Sequence, residues 1–284
     1  MCVAITEVEA RLSSNLLSKF RNLVNWFRKC GGPIIIAFSG GVDSSVVLKV
    51  AILALGLNNV IAVTCTSPLQ PPEDLEWARK VASSLGVRHV MIEVNVLNDP
   101  EFIRNTPDRC YHCKKMLIRS MKEVATRFGA IAVVDGTNAS DLKLRRPGYR
   151  ALLEENVKSP LAEVGVTKDE VRELARALEL PNWNRPSMAC LATRIPYGEA
   201  ITLERLRRIA KAERIVKELT GVAQIRVRDH GYIARIEVGR DERWKFFNCE
   251  VMDRVARELM KLGYRYVTLD LLGYRSGSMD ELLT

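Results

Sequence analysis

Glutamine is nearly missing from this sequence: Gln70 and Gln224 stand alone among 284 residues, beside many arginines and glutamates. Scarcity of glutamine points toward a thermophile, where heat-labile amides are depleted. No apolar stretch approaches the roughly 20 residues that a membrane-spanning helix needs. The opening MCVAITEVEARL has early acids in place of a continuous apolar segment, so no signal peptide is read and a cytoplasmic setting is expected. Internal repeats and low-complexity tracts are lacking too. The cysteines number seven, which is odd, and this does not match the paired framework of a secreted disulfide scaffold. Most should be reduced thiols, with Cys2, Cys30, Cys65 and Cys249 read as isolated small residues.

What is present describes a globular chain, 47% hydrophobic and 27% charged, long enough for one large or two modest domains. The net charge of +9 attracts nucleic acid and small phosphorylated substrates alike, and does not choose between them. After an amphipathic helix predicted over about Glu7 to Cys30, the run PIIIAF (33–38) is short and β-branched, as a buried parallel strand is. Strand and helix then alternate: helix VDSSVVLKVAILAL, strand NVIAVTCT, helix EDLEWARKVASSLG, strand VRHVMIEV, helix YHCKKMLIRSMKEVATRFG, strand AIAVVDG. This alternation predicts an α/β fold with a doubly wound parallel sheet, in which ligands bind beyond the carboxyl ends of the strands. Residues 139–160 lack clear periodicity and are read as a substrate-facing or mobile loop. Thr167 followed by Glu170 forms a capping box for the helix TKDEVRELARALEL. A helix (202–221), strands QIRVRD and YIARIEV, a helix from about Cys249 to Leu262 and strand YRYVTLDL then predict a smaller α+β module. The domain boundaries are set at 1–190 and 191–284.

The stretch FSGGVDSSV (38–46) enters a helix directly from the first strand. A glycine-rich turn there exposes backbone N–H groups at the positive end of the helix dipole, which suits an anion. A Walker loop would need a lysine before its terminal hydroxyl, and none lies between Phe38 and Leu48. Gly40 and Gly41, with the Ser39, Ser44 and Ser45 hydroxyls, could hold pyrophosphate, and Asp43 would then bridge to it through magnesium. The plainer reading makes Asp43 an acid in a first helical turn and Gly-Gly a tight turn. Asp135, in the DGTN turn at another strand end, is read as a second magnesium or nucleotide contact.

SGGVDSS between a first strand and first helix resembles the PP-loop of the ATP pyrophosphatase superfamily, with its adenine nucleotide alpha hydrolase-like fold. Its members cleave ATP between the α and β phosphates and adenylate an acceptor. Further along, DRCYHCK, VVDGTNASD, RRPGYRAL, KSPLAEVGVTKDEVR, ACLATRIPYGEAIT, IRVRDHG and LDLLGYRSGSMDE together resemble the LarE family of ATP-dependent sulfur transferases. That resemblance spans nearly the whole chain. It implies thiolation of both carboxylates of pyridinium-3,5-biscarboxylic acid mononucleotide, a precursor of the nickel-pincer nucleotide cofactor, with sulfide or another donor supplying the sulfur. A homo-oligomer is expected, and neither a membrane nor nucleic acid as partner. A tRNA-thiolating PP-loop enzyme is the alternative, against which no zinc-ribbon or RNA-binding motif is visible.

Cys110 and Cys113 are three apart at the start of a predicted helix, so their thiols can share a face. By themselves they leave zinc, redox and simple burial open. The resemblance implies two forms of sulfur supply. In one, a single cysteine matching Cys190 gives up its own sulfur; in the other, three cysteines matching Cys110, Cys113 and Cys190 bind a 4Fe-4S cluster. All three are present, and the cluster is expected. Arg109, Lys114, Lys115 and Arg194 could lower thiol pKa values nearby. Arg226 and Arg228 alternate on a strand and share a face; with Arg194 they are expected to bind the substrate phosphate, unless they are exposed arginines on an edge strand. His230, beside Gly231, is read as a turn residue.

Overall fold

The computed structural model describes residues 4–143, 147–186, 189–275 and 277–279. They form two compact units, Met1–Val96 with Cys110–Met188, and Leu97–Arg109 with Ala189–Thr284.

The first unit is built on a four-stranded parallel sheet. Its strands are β1 (Ile34–Ala37), β2 (Val60–Thr66), β3 (Arg88–Glu93) and β4 (Ala132–Val134), in the order β3-β2-β1-β4. Successive residues of β1 and β2 are buried, so both faces of the sheet are covered, which explains why these strands read as continuous apolar runs. Ile34, Ile36, Val60 and Ala62 share a core with the helices α2 (Ser14–Cys30), α3 (Val42–Leu55) and α9 (Lys168–Ala177). On the opposite face, the Cys65 thiol reaches the Leu117 carbonyl of α6 (Arg109–Arg127). The helix α4 (Pro72–Leu85) follows β2.

The apolar stripe of α2 is Leu16, Phe20, Leu23, Val24 and Phe27, all buried. Its spacing is that of one helical face, and each such side chain contributes about 1.5–3 kcal/mol. Where one helix was predicted from about Glu7, the chain makes two: α1 (Ile5–Glu9) ends, and Ser13, extended at ψ 155°, precedes the first residue of α2. Residues 139–160 differ more. They contain a 3₁₀ turn, Asp141–Lys143, and a short helix, α7 (Pro147–Glu154), and lead into another, α8 (Pro160–Val164), so the reading as a loop is corrected for the described residues. A helix of two turns gives too few repeats for its periodicity to stand out. The capping box of α9 is present, with Thr167 accepting from the Glu170 amide and Glu170 accepting from the Thr167 amide.

In the second unit, β5 (Ile225–His230) and β6 (Ile233–Val238) make an antiparallel hairpin, and β7 (Tyr266–Leu269) joins β6 in parallel. Gly231, at φ 69°, supplies the left-handed turn beside His230. The helices α10 (Leu203–Thr220) and α11 (Cys249–Lys261) pack on this sheet around Val227, Ile236, Val255 and Tyr264. The segment Leu97–Arg109, with the short helix α5 (Pro100–Ile103), is tied here as well. Ile201 and Gly198 donate their amides to the Ile103 and Asn105 carbonyls, and the Asn105 side-chain amide donates to the Pro196 carbonyl at 2.7 Å. Among the described residues no helix is long and apolar enough to cross a membrane.

Candidate active site

The loop after β1 is shaped by close approach. Gly40 has φ +74°, and a Cβ there would stand 2.7 Å from the backbone nitrogen of Ala78 in α4. A Cβ on Gly136, at the end of β4, would stand 2.8 Å from the Ser44 nitrogen. The two glycines let α4 and the DGTN turn press on the start of α3. Ser39 and Ser44 hydroxyls lie 3.2 Å apart, and the Gly41 amide donates to the Ser39 hydroxyl at 3.3 Å. Ser45 is fully buried, and its hydroxyl donates to the Gly41 carbonyl at 2.8 Å. The structure therefore brings Ser39, Gly40, Gly41, Asp43, Ser44 and Ser45 together, with Ser45 turned inward.

Asp43 is met by two partners from far along the chain. Asn138 donates its amide to Oδ1 at 2.9 Å, and Lys168 pairs with Oδ2. Lys168 escaped the reading of the sequence, although one signal was available. It occupies the first position of α9, where the helix dipole disfavours a cation, so an anion opposite is to be expected. Asp135 does reach the strand end, and both its oxygens are engaged inside the turn: it accepts from the Thr137 amide and hydroxyl and from the Ser159 hydroxyl at 2.7 Å.

Cys110 and Cys113 lie at the start of α6, exposed and half-buried respectively, and neither is in a disulfide. The neighbouring α7 sits close, since a Cβ on Gly148 would lie 3.4 Å from the Cys110 carbonyl oxygen. Tyr111 and Lys115 both donate to Glu154 of α7, and the Arg150 guanidinium stacks 3.9 Å from the Tyr111 ring centre. Lys115 is thus committed to Glu154. Arg109, in the second unit, donates to the Asn105 side chain and stacks on Tyr197. Cys65 is inert by contrast, since burial pushes its thiol up to about 12.

In the second unit Cys190 begins a 3₁₀ turn, Leu191–Arg194. Arg194 is wholly buried. Its guanidinium grips Glu213 through Nε and Nη2, and Nη1 donates to the Ala189 and Cys190 carbonyls and the Thr193 hydroxyl. The arginine is thereby the clamp on the backbone that carries Cys190. Arg194→Met is expected to destabilise the second unit by about 3–5 kcal/mol, the usual cost of stranding one member of a buried ion pair. Urea denaturation measures it, and adding Glu213→Gln should recover part of the loss.

Arg226 and Arg228 do share a face of β5. Both are buried, although β5 is an edge of its sheet among the described residues, so the reading as exposed edge arginines does not apply. Arg228 donates to the Thr193 carbonyl, Glu237 and Ser278, while its Nε has no partner among the described residues. Burial first, and then the Arg194 charge, lowers Arg226 below the usual arginine value. Among the described residues Glu213 pairs with Arg194, and Glu237 with Arg228 and Arg235.

The NAD synthase family model matches residues 19–108, the part that carries β1, β2, β3 and the glycine loop, and the match ends before Cys110. Pyridinium-3,5-bisthiocarboxylic acid mononucleotide synthase of Lactiplantibacillus plantarum is 40% identical over 253 residues, 88% of this chain and 90% of that one. The chain belongs to the LarE family. Two further relatives of this LarE-family chain extend over nearly its full length, and both are uncharacterised. One, from Synechocystis sp., is 40% identical over 95% of this chain and 99% of its own; the other, from Methanocaldococcus jannaschii, is 31% identical over 94% and 96%. As a LarE-family member the protein is an ATP-dependent sulfur transferase, and the NAD synthase match takes in the glycine loop.

Proposed function

We propose that the protein adenylates pyridinium-3,5-biscarboxylic acid mononucleotide and converts each carboxylate to a thiocarboxylate. The 40% identity to the L. plantarum synthase carries this reading. A substrate carboxylate oxygen attacks the α-phosphorus of ATP, the α–β bridge breaks, and pyrophosphate leaves. Sulfide sulfur then attacks the acyl carbon, the bond to AMP breaks, and the thiocarboxylate remains.

Ser39, Gly40, Gly41 and Ser44 donate to the departing pyrophosphate, and Ser45 acts by holding the loop. Lys168 leaves Asp43 to meet the phosphates as their charge grows. One carboxylate together with substrate phosphates is the usual protein share of a magnesium site. Asp43 would fill it, and bound metal would neutralise the leaving group. Asp135 shapes the wall of the site through the DGTN turn.

Arg226 and Arg228 take the substrate phosphate, a role supported by their burial on one face of β5 and by the Arg228 Nε, which has no partner among the described residues. Arg194 serves beside them by fixing the Cys190 backbone. The first unit is the ATP pyrophosphatase domain. The second receives substrate and joins copies of the chain, as its exposed Trp244, Phe247, Leu271 and Leu272 support. The cysteines among the described residues, none in a disulfide, fit a cytoplasmic setting.

For the sulfur, the pattern of Cys110, Cys113 and Cys190 supports the three-thiolate 4Fe-4S form. The first unit holds two of these thiols and the second holds one. Among the described residues no three His, Cys, Asp or Glu side chains are grouped to hold a metal ion.

The test is anaerobic AMP release from ATP with sulfide present, comparing the pyridinium biscarboxylate nucleotide with bulk tRNA. Stimulation by the nucleotide, with sulfur mass gained by the product, is expected. Stimulation by tRNA alone would replace the acceptor, and the net charge of +9 makes that arm necessary.

A further inference from the structure

Asn182 belongs to none of the motifs that carry ATP chemistry, yet it is bound into the glycine loop. Its side chain is 1% exposed, and its Nδ2 donates at 2.9 Å to both the Gly40 carbonyl and the Ser45 hydroxyl. A carbonyl can only accept, so the amide orientation follows from the contact itself. The other end of the same amide, Oδ1, is buried with no partner among the described residues. An unpaired buried acceptor is destabilising, which marks a position held for something other than stability. The turn that carries Asn182 is braced, because the Trp183 amide donates to the Leu180 carbonyl and the Arg185 amide to the Asn182 carbonyl. Arg185 is itself paired with Asp74 of α4.

The Gly40 carbonyl is one half of the Gly40–Gly41 peptide, and the Gly41 N–H is the other half. In a trans peptide the two point in opposite directions. With the carbonyl drawn to Asn182, the N–H faces the Ser39 hydroxyl, the side where the hydroxyls of Ser39 and Ser44 meet. Glycine stands on both sides of this peptide, so the flipped orientation is sterically open as well. Flipped, the loop would present a carbonyl oxygen to an anion in place of a donor.

We propose that Asn182 is the positioning residue that locks this peptide, so that the loop offers an N–H to the pyrophosphate portion of ATP. The inference rests on the adenylation reading above. It makes no contact with the ligand necessary: Asn182 acts through Gly40 and Gly41.

The test is titration of the full-length protein with inorganic pyrophosphate, ATP and AMP, comparing wild type with Asn182→Asp and Asn182→Ala. Aspartate keeps the shape and loses the donor; alanine removes both hydrogen bonds without adding charge. Both variants should bind pyrophosphate and ATP about 10- to 100-fold more weakly, the worth of one charge-assisted hydrogen bond, with AMP affinity unchanged. Pyrophosphate affinity within twofold of wild type in the alanine variant would overturn the lock. So would equal losses for AMP and pyrophosphate accompanied by a lower melting temperature, since that is what a merely structural residue gives. Failure of the wild type to bind pyrophosphate and ATP would instead remove the adenylation reading on which the lock depends.

Discussion

Cys190→Ala is expected to abolish thiocarboxylate formation, by at least about a thousandfold, the scale of losing a reacting group, while AMP formation from ATP continues. Two features of the turn explain why the effects separate. Cys190 is half-buried and its side chain makes no capping hydrogen bond, so removing the sulfur empties little packing. Its backbone carbonyl is held at 3.1 Å by Arg194, and alanine keeps that carbonyl. The fold should survive with its sulfur chemistry gone. Cys65→Ala supplies the contrast, because that thiol is core and pushed up to about 12, so the change should cost stability and leave transfer intact. Mass analysis of the product alongside AMP quantitation reads both enzymes. Continued thiolation by the Cys190 variant would exclude it from sulfur delivery in either form.

Lys168→Met should slow AMP formation by about 10²–10³, the usual effect of removing one preorganised donor from developing charge. Lys168 and Asp43 are about a third and a quarter exposed as side chains, and a pair so wetted stabilises a fold by about 1 kcal/mol or less. A large loss of rate with a small change in melting temperature is therefore the signature of an ammonium waiting at the loop for phosphate. Lys168→Arg should recover part of the rate, since the charge returns on a wider, planar head. If Lys168→Met forms AMP within threefold of wild type, the lysine serves Asp43 alone.

These expectations depend on pairings of very different reach. The Thr167–Glu170 capping box spans three residues and was legible as a pattern, as were the β-branched strands and the glycine loop. Hydroxyl, glycine and carboxylate at 39–45 are adjacent in the chain, so the loop was readable as a motif, while its partners were not. Lys168 lies 125 residues from Asp43, Asn138 lies 95 from it, and Asn182 lies 142 from Gly40. No local periodicity encodes such distances. They arise because β4 lies beside β1, bringing the DGTN turn against α3, and because α9 packs on α3 in the same core.

The second unit repeats the lesson with arginines. Alternation on β5 correctly put Arg226 and Arg228 on one face, since a strand has a period of two. Whether that face met water or protein depended on the turn at Leu191–Arg194 and on Ser278, which come from distant parts of the chain. Arg194 in ACLATR reads as a cation available to a ligand. Glu213, from one turn of α10, and the carbonyls beside Cys190 occupy it instead. Likewise Leu97–Arg109 looks like a connection between β3 and α6, and its backbone hydrogen bonds to Gly198 and Ile201 place it in the second unit.

By itself, then, the sequence determined the alternating α/β fold, the glycine loop and the capping box of α9, because each is written in residues close enough to act on one another locally. Tertiary structure alone decided which charge faces which: Lys168 against Asp43, Arg194 against Glu213, Asn182 against Gly40. Charges and amides act over a few ångströms, and only the winding of the sheet and the packing of its helices bring residues so far apart in the chain within that range.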